Sequence, residues 1–440
     1  MIVVSHMCQP APASLTNHRQ YARLHGYRHE VIDASAMPQT LQWRALYRYE
    51  CLLNKLVSLA EDALLLLLSE DAAIIDPVPL AQLMEGRDRL LVRICTHPLP
   101  QIDVQVWRNT SAVRQTVMQL IKRCKHGGVD PLNAEATLFT GLETETYTTL
   151  INGICPVMPG SCRYDPFWHR TPTFAISIDE APEFPAQKFV VPRYRDVLVD
   201  HINSARAASV PMFSFPHYAR DPNVEVSERS TYNPGQKIAI VTLSTPHIDI
   251  YARISEHNLR RYCDMHGYTL YIHRDIPAEI GLDGAGTWFK PWLLHGYFQH
   301  HEWVIWLDAD ILINNMQQTF EPLLEGRDWL VAHDVGQWMF NAGMMGFRRT
   351  TQNDEMLRGI MSAIAALPDR SDVYTDGGDQ PRFIEAIKTT YQPSDNDLLD
   401  LVSFNTPWML RRPDSFIVHY YGMWPCLRAM MMAHDAMLLS

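Results

Sequence analysis

Apolar positions come in short runs separated by longer amphipathic stretches. Ile2-Val3-Val4 opens the chain as a compact run, and a helical stretch follows that ends in Leu24-His25-Gly26-Tyr27. In the second half, Ile238–Leu243 reads as a buried strand and Tyr251–His266 as a helix stopped at Gly267. Tyr268–His273 and Trp303–Leu307 read as further strands, with a helix predicted over Trp288–His300 between them. Strands interleaved with helices predict an α/β fold whose sheet is mostly parallel and covered by helices on both faces. Ligands of such sheets bind beyond the carboxyl ends of the strands.

The pattern is written twice. His25-Gly26-Tyr27 recurs as His266-Gly267-Tyr268, 241 residues later. The run Leu64–Leu68 leads into Ser69-Glu70-Asp71, and Val304–Leu307 leads into Asp308-Ala309-Asp310, 239 residues on. Glu85-Gly86-Arg87-Asp88 recurs as Glu325-Gly326-Arg327-Asp328 at an offset of 240, and Arg108 and Arg348 each follow their glycine by 22 residues. Four matches in order at nearly constant offset predict a tandem duplication. Between the halves, Pro182, Pro185, Pro192, Pro211, Pro216, Pro222 and Pro234 disfavour regular helix or central strand. The expected organisation is a first α/β domain over 1–185, a proline-rich connector over 186–235 and a second α/β domain over 236–440.

The length of 440 residues fits two or three domains at roughly 150 residues each. A hydrophobic share of 47% argues against a mainly disordered chain. The net charge of −11 argues against a nucleic-acid partner, which needs a basic surface. Eight cysteines without a CxxC pair argue against a zinc ribbon or a disulfide framework. The opening MIVVSHMCQP carries no signal-peptide pattern, and no apolar run approaches the ~18 residues that span a bilayer. The expectation is a cytoplasmic protein with no transmembrane segment. The tail, Met430-Met431-Met432 and Met437-Leu438-Leu439, reads as a core-packing helix, with a partner or a peripheral membrane contact as the rival reading.

Candidate chemistry gathers in the second half. Trp303–Leu307 runs straight into Asp308 and Asp310, so two carboxylates can converge at the carboxyl edge of the sheet. Two hard oxygen ligands suit Mg²⁺ or Mn²⁺, and the alternative is a solvated turn. An aspartyl-nucleophile phosphatase would want threonine where this chain has Leu312. Asn341 and Gly343 place a polar residue and a glycine within an apolar segment, which permits close backbone approach to a ligand or simply a bend. Gly377-Gly378-Asp379-Gln380 leads into a helix near Pro381, where Asp379 is either a site residue or a helix cap. Ile417-Val418-His419 delivers a histidine ahead of Gly422, either as a structural residue or as a third metal ligand, in which case a neutral imidazole beside carboxylates favours Mn²⁺ over Ca²⁺. Trp288, Trp292, Trp303 and Trp306 read as core and pocket wall.

In this order, the fragments resemble a retaining, metal-dependent glycosyltransferase of the GT-A fold, most of all the galactosyl/mannosyl/xylosyltransferase family. They are also similar to glycogenin-like and bacterial lipopolysaccharide galactosyltransferases. The resemblance is carried by residues 237–424, and by 1–180 only through the repeat. It implies two tandem GT-A-like, Rossmann-like domains and a nucleotide-sugar donor. By resemblance, Asp308, Asp310 and His419 hold Mn²⁺ or Mg²⁺, with Asp308 also near the ribose. Lys290 meets the phosphates or sugar, Asn341 and Gly343 line the donor sugar, and Asp379 and Gln380 lie under the anomeric carbon. Thr242, Leu243 and Ser244 cradle the base and ribose, and Gly422 follows the metal histidine. Relatives often carry a lysine six residues after that histidine; here the position is Pro425, and Arg428 is the nearest base.

The repeat offset sets Ser69 against Asp308, Ser177 against His419, Arg44 against Lys290 and Leu142-Glu143 against Asp379-Gln380. The first domain is therefore expected to be a degenerate copy. The expected reaction moves a hexose or pentose from a UDP- or GDP-linked sugar to a hydroxyl of a glycan, lipid-linked, protein or small-molecule acceptor. The alternative is a non-catalytic, two-domain glycan- or nucleotide-sugar-binding scaffold, and either reading leaves room for a homo-oligomer. A nucleotidyltransferase would need a basic glycine-rich loop near the first strand, which Thr242–Asp249 lacks.

Overall fold

The structure is a computed structural model. It describes residues 1–38, 40–92, 101–126, 135–141, 146–147, 151–154, 174–178, 194–209, 227–336, 338–423 and 425–439. The chain divides into two compact units. One comprises Met1–Pro182, Pro192–Met212 and Gly422–Trp424; the other comprises Glu183–Val191, Phe213–Tyr421 and Pro425–Ser440.

The first unit contains strands β1 (Ile2–Met7), β2 (Arg28–Asp33), β3 (Leu64–Ser69), β4 (Ala72–Ile74), β5 (Arg89–Val92) and β6 (Gln101–Arg108). Strands β7 (Thr146–Tyr147), β8 (Ile151–Ile154) and β9 (Ala175–Ile178) follow. Its helices are α1 (Pro12–Leu24), α2 (Leu41–Ser58), α3 (Leu80–Met84), α4 (Ser111–His126) and α5 (Tyr194–Ala207). The second unit contains β10 (Arg229–Tyr232), β11 (Ile238–Leu243), β12 (Thr269–His273), β13 (Trp303–Leu307) and β14 (Ile311–Ile313). It continues with β15 (Trp329–Leu330), β16 (Met344–Arg348), β17 (Thr406–Pro407) and β18 (Ile417–His419). Its helices are α6 (Asp249–His266), α7 (Lys290–Tyr297), α8 (Glu321–Leu324), α9 (Thr351–Ala365), α10 (Asp379–Tyr391), α11 (Leu401–Phe404) and α12 (Pro425–Leu438).

The main sheets run β2-β1-β3-β6-β5-β7 and β10-β12-β11-β13-β16-β15. The segment β2-β1-β3-β6-β5 in one has the same order as β12-β11-β13-β16-β15 in the other. In the main sheets β1 pairs parallel with β2 and β3, β11 with β12 and β13, and β5 with β7, while β10 is antiparallel to β12, so both sheets are mixed. β6 and β16 return antiparallel to β3 and β13. Each unit also has a small three-stranded sheet, β4-β9-β8 and β14-β18-β17.

The same side chains tie down both units. His25 Nε2 donates to Pro77 O and His266 Nε2 to Met316 O, each at 2.7 Å. Tyr21 donates to Val78 O and Tyr262 to Gln318 O, again at 2.7 Å. Asn17 Nδ2 donates to Ile74 O at 3.0 Å and accepts from Ile74 N at 2.7 Å. Asn258 repeats the pair with Ile313 at 3.1 and 2.8 Å. Gly26 and Gly267 end their helices with φ of +65° and +69°, a region that glycine enters without cost.

Part of the stretch expected as connector is regular structure. Between Pro192 and Pro211 the chain forms α5, whose Leu198, Val199, Ile202 and Ala205 recur at helical spacing and are buried. Arg229–Tyr232 forms β10, an antiparallel edge strand beside β12. The predicted helix over Trp288–His300 is tightened at both ends: 3₁₀ turns at Gly286–Phe289 and Phe298–His300 flank α7. The tail helix forms as α12 and buries Met431 and Met432.

β13 is buried on both faces. Val304 and Trp306 pack with Trp288, Phe289 and Leu293, while Trp303, Ile305 and Leu307 pack with Tyr262, Phe320 and Phe416 on the opposite side. Alternation at period two makes β13 the rigid rod from whose end the site hangs.

Candidate active site

At the end of β13 the ladder continues one step, as Asp308 N donates to Gly343 O at 2.8 Å. The Trp306 indole, fixed in the core, donates through Nε1 to Asp308 Oδ1 at 2.6 Å. Two residues on, β14 pairs antiparallel with β18, setting Ile311 opposite His419. Tyr420 N donates to Asp310 O at 2.9 Å. His419 Nε2 then lies 3.0 Å from Asp310 Oδ1. The ligand atoms of Asp308, Asp310 and His419 all lie within 4.8 Å of one another.

The surroundings fit a small cation between these groups. His419 Nδ1 lies 3.0 Å from Asn405 Oδ1, an acceptor that suits a proton on that nitrogen and leaves Nε2 facing the carboxylate. Asn405 Nδ2 donates in turn to Asn341 Oδ1 at 3.3 Å, and that oxygen also accepts from Gly343 N at 2.9 Å. A Cβ at Gly343 would stand 2.2 Å from His419 Cε1 and 3.0 Å from Nε2. The close approach of backbone to imidazole is the reason for glycine there.

Lys290 opens α7 and is buried. Its Nζ lies 3.0 Å from Asp308 Oδ1, 3.0 Å from Asp379 Oδ2 and 3.1 Å from Ala342 O. Burial works against its charge, but the two carboxylates outweigh that and hold its pKa above the ordinary lysine value. Asp308 is pushed up by burial, with Lys290 opposing and Asp310 adding to the rise. Asp310 goes the other way. Burial raises it, but Arg428 and His419 prevail and hold its carboxyl well below the usual range. Arg428 NH1 lies 3.2 Å from Asp310 Oδ2 and donates to Tyr251 OH at 2.9 Å. Its guanidinium stands 4.8 Å from the Tyr251 ring centroid.

Of the residues expected in the site, Lys290 contacts both Asp308 and Asp379, and Asp310 contacts His419. Gln380 is tied to the same segment differently: its Oε1 accepts from Ala342 N at 2.9 Å. Asp379 is buried beside Lys290 at the start of α10. Thr242, Leu243 and Ser244 lie buried at the end of β11, and Thr242 Oγ1 is buried with no hydrogen-bond partner. Gly422 takes φ of +73° three residues after His419. Arg428, Asn405 and Tyr251 were not singled out as site residues from the sequence. Arg428 had only its distance past Pro425 to mark it, Asn405 sits between Phe404 and Thr406 with no charged neighbour beside it, and Tyr251 reads simply as a helix residue.

The corresponding edge of the first unit is built differently. Ser177 stands opposite Ala72 in the β4–β9 ladder, as His419 stands opposite Ile311. Ser69 donates to Asp103 Oδ1 at 2.7 Å. Glu70 is buried, accepts from Cys8 N at 3.1 Å and lies 3.4 Å from Arg44. Asp71 pairs with Arg195 of α5 at 2.8 Å; burial and Asp103 nevertheless push its carboxyl up to about 6. Among the described residues, no histidine–carboxylate group spaced to hold a metal includes Glu70, Asp71 or Asp103. Leu142 and Glu143 lie outside the described residues.

Paired carboxylates and a histidine at the end of a buried strand of an α/β sheet are the donor set of a divalent-cation site. Residues 235–332 match the galactosyl transferase GMA12/MNN10 family, which supports a glycosyltransferase. No curated protein matches the chain. Similar solved structures include a glycosyltransferase involved in the glycosylation of the major capsid of PBCV-1, 20% identical, with 44% of this chain and 98% of that one covered at a TM-score of 0.35. Mouse xyloside xylosyltransferase 1 is 14% identical, covering 41% and 96% at a TM-score of 0.26. The glycosyltransferase GlyE of Streptococcus pneumoniae TIGR4 is 12% identical, covering 67% and 83% at 0.27. No helix among the described residues is long and apolar enough to cross a membrane.

Proposed function

We propose that the second unit is a metal-dependent glycosyltransferase that moves a hexose or pentose from a UDP- or GDP-linked sugar to an acceptor hydroxyl, with retention of anomeric configuration. The observation that carries this reading is the convergence of Asp308, Asp310 and His419 ligand atoms within 4.8 Å. These residues would hold Mn²⁺ or Mg²⁺, and the mixed nitrogen and oxygen set favours Mn²⁺. When bound, the cation supplies charge neutralisation for the leaving diphosphate.

The chain's own residues prepare the rest. Lys290 pairs with Asp308 and Asp379 and fixes both carboxylates, and Arg428 holds Asp310 ionised. Arg428 also brings a permanent positive charge to the diphosphate end of the site, where Pro425 brings none. Gln380 and Asn341 brace the backbone of Ala342 and Gly343, along which the donor sugar lies. The unpartnered Thr242 Oγ1 offers the nucleoside a hydrogen bond. The acceptor oxygen attacks the anomeric carbon as the bond to the diphosphate oxygen breaks. The acceptor proton passes to the departing phosphate. Gln380 is an uncharged amide and Asp379 is engaged by Lys290, so attack from the leaving-group face suits the residues better than a covalent glycosyl intermediate.

In the same reading the two units are copies of one domain, and the first has kept the scaffold but not the metal set. Its replacements, Ser69 and Ser177, offer neither carboxylate nor imidazole. Hydrolysis of a panel of UDP- and GDP-sugars with and without Mn²⁺ tests the proposal. Metal-dependent release of the nucleoside diphosphate, abolished in Asp310→Asn, is expected. Absence of turnover across the panel would overturn it.

A further inference from the structure

We infer that Trp338 is the stacking platform for the pyranose ring of the acceptor; this rests on the glycosyltransferase reading above. Among the described residues, the large exposed aromatic side chains are Trp43, Trp338 and Tyr374. Trp338 alone of these lies on the segment that runs directly into Asn341 and Gly343. It is 39% exposed, although the four tryptophans of the α7–β13 region are buried or partly so.

The loop that presents it is braced. His333 and Phe340 form an antiparallel bridge that closes the loop at its base. Inside, the buried Asp334 carboxylate accepts from Gly336 N at 3.0 Å. The backbone amides of Val335 and Trp338 also stabilise that carboxylate, and it stands near enough to His419 to feel its charge. Phe340 is fully buried, and Met339 packs against the same core. An indole in water on a pinned loop loses little conformational freedom when a ligand covers it.

The chemistry of the occupant follows from the ring. A pyranose presents a face of C–H groups that packs on an indole, while its hydroxyls stay hydrated at the rim. A nucleobase would also stack on indole. The end of β11, with its unpartnered Thr242 Oγ1, is on a different strand and is assigned to the donor's nucleoside. Trp338 is at most about 15 Å of chain from Ala342, within reach of an acceptor whose hydroxyl meets the donor sugar there.

The test uses methyl pyranosides of glucose, galactose, mannose and xylose as acceptor probes with the full chain, Mn²⁺ and the best-hydrolysed nucleotide sugar. Binding is followed by saturation-transfer NMR, and transfer by mass shift of the glycoside. Trp338→Ala is expected to raise the acceptor KM about tenfold or more while moving donor KM less than twofold, and Trp338→Phe to recover most of the loss. Trp43→Ala is expected to leave both constants where they were. A rise in donor KM instead of acceptor KM, an acceptor effect from Tyr374→Ala but none from Trp338→Ala, or no pyranoside binding to the wild-type chain would each overturn the inference. If the wild-type chain hydrolyses no nucleotide sugar, the broader glycosyltransferase reading fails first, and that outcome is separable from the others.

Discussion

Set side by side, the two units agree where they hold themselves together and differ where chemistry would occur. The asparagine, tyrosine and histidine that clasp the helix after the first strand recur as Asn17, Tyr21 and His25 and as Asn258, Tyr262 and His266, with hydrogen-bond lengths within 0.1 Å. One aspartate–arginine pair recurs as well, Asp71 with Arg195 and Asp310 with Arg428. At the strand end, however, Ser69 stands at the position of Asp308, Ser177 at that of His419 and Asp103 at that of Gly343 in the respective sheets. The backbone hydrogen bonds of a fold tolerate little change, because a buried amide left unpaired is costly in any copy. A metal site has no such hold once its ion is dispensed with. Its carboxylates are then like charges in a low dielectric, and replacing them relieves repulsion.

The largest expected effect follows from that contrast. Asp310→Asn should lower metal-dependent donor turnover by about a thousandfold, equivalent to about 4 kcal/mol of transition-state stabilisation, whereas Asp71→Asn should cost less than about twofold. Steady-state kinetics on both variants checks the asymmetry. Gly343→Ala comes next. The added methyl meets His419 at 2.2 Å and must displace the imidazole, so Mn²⁺ affinity measured by calorimetry should fall about 10- to 100-fold. Asn405→Ala, which frees Nδ1 of His419, belongs in the same range, and its circular dichroism should remain that of the folded chain.

A smaller effect should be shared equally. Asn17→Ala and Asn258→Ala each strand a buried backbone amide, of Ile74 and Ile313, and each should destabilise its unit by about 1–3 kcal/mol in denaturant titration. An effect in one unit alone would break the equivalence of the two scaffolds. Acid should also weaken both. His18 and His273 are buried, and burial lowers each pKa to about 4. A depressed histidine pKa means that the unfolded chain takes up protons first. Stability is therefore retained above the unfolded value near 6.5 and falls as pH drops toward 4. Between pH 7 and 5 the loss is about 2 kcal/mol for each histidine. His18→Gln and His273→Gln should each flatten the dependence in their own unit.

Much of this was legible in the sequence for a physical reason. A strand buried on both faces must be an unbroken apolar run, so Trp303–Leu307 announces itself, and so does the break to Asp308 and Asp310. Helix stops at Gly26 and Gly267 follow from the need for positive φ. A proline count averaged over 186–235 hides α5, because the window from 193 to 210 contains no proline and carries a helical apolar stripe. Arg428 is marked in the sequence only as the nearest base past Pro425, and Asn405 is not marked at all. Their roles arise from α12 and the junction of α11 and β17 coming back to the end of β13 across more than ninety residues, and no local period encodes that return. Gln380, expected under the anomeric carbon, accepts through its side-chain oxygen from Ala342 N.

The central claim is that the second unit, and not the first, holds the metal on which turnover depends. Mn²⁺ titration of the full chain by calorimetry, in the presence of UDP or GDP, tests it most directly. One ion per chain is predicted, lost in Asp310→Ala and retained in Asp71→Ala. A second ion that disappears in Asp71→Ala, or binding that survives Asp310→Ala, would contradict the account.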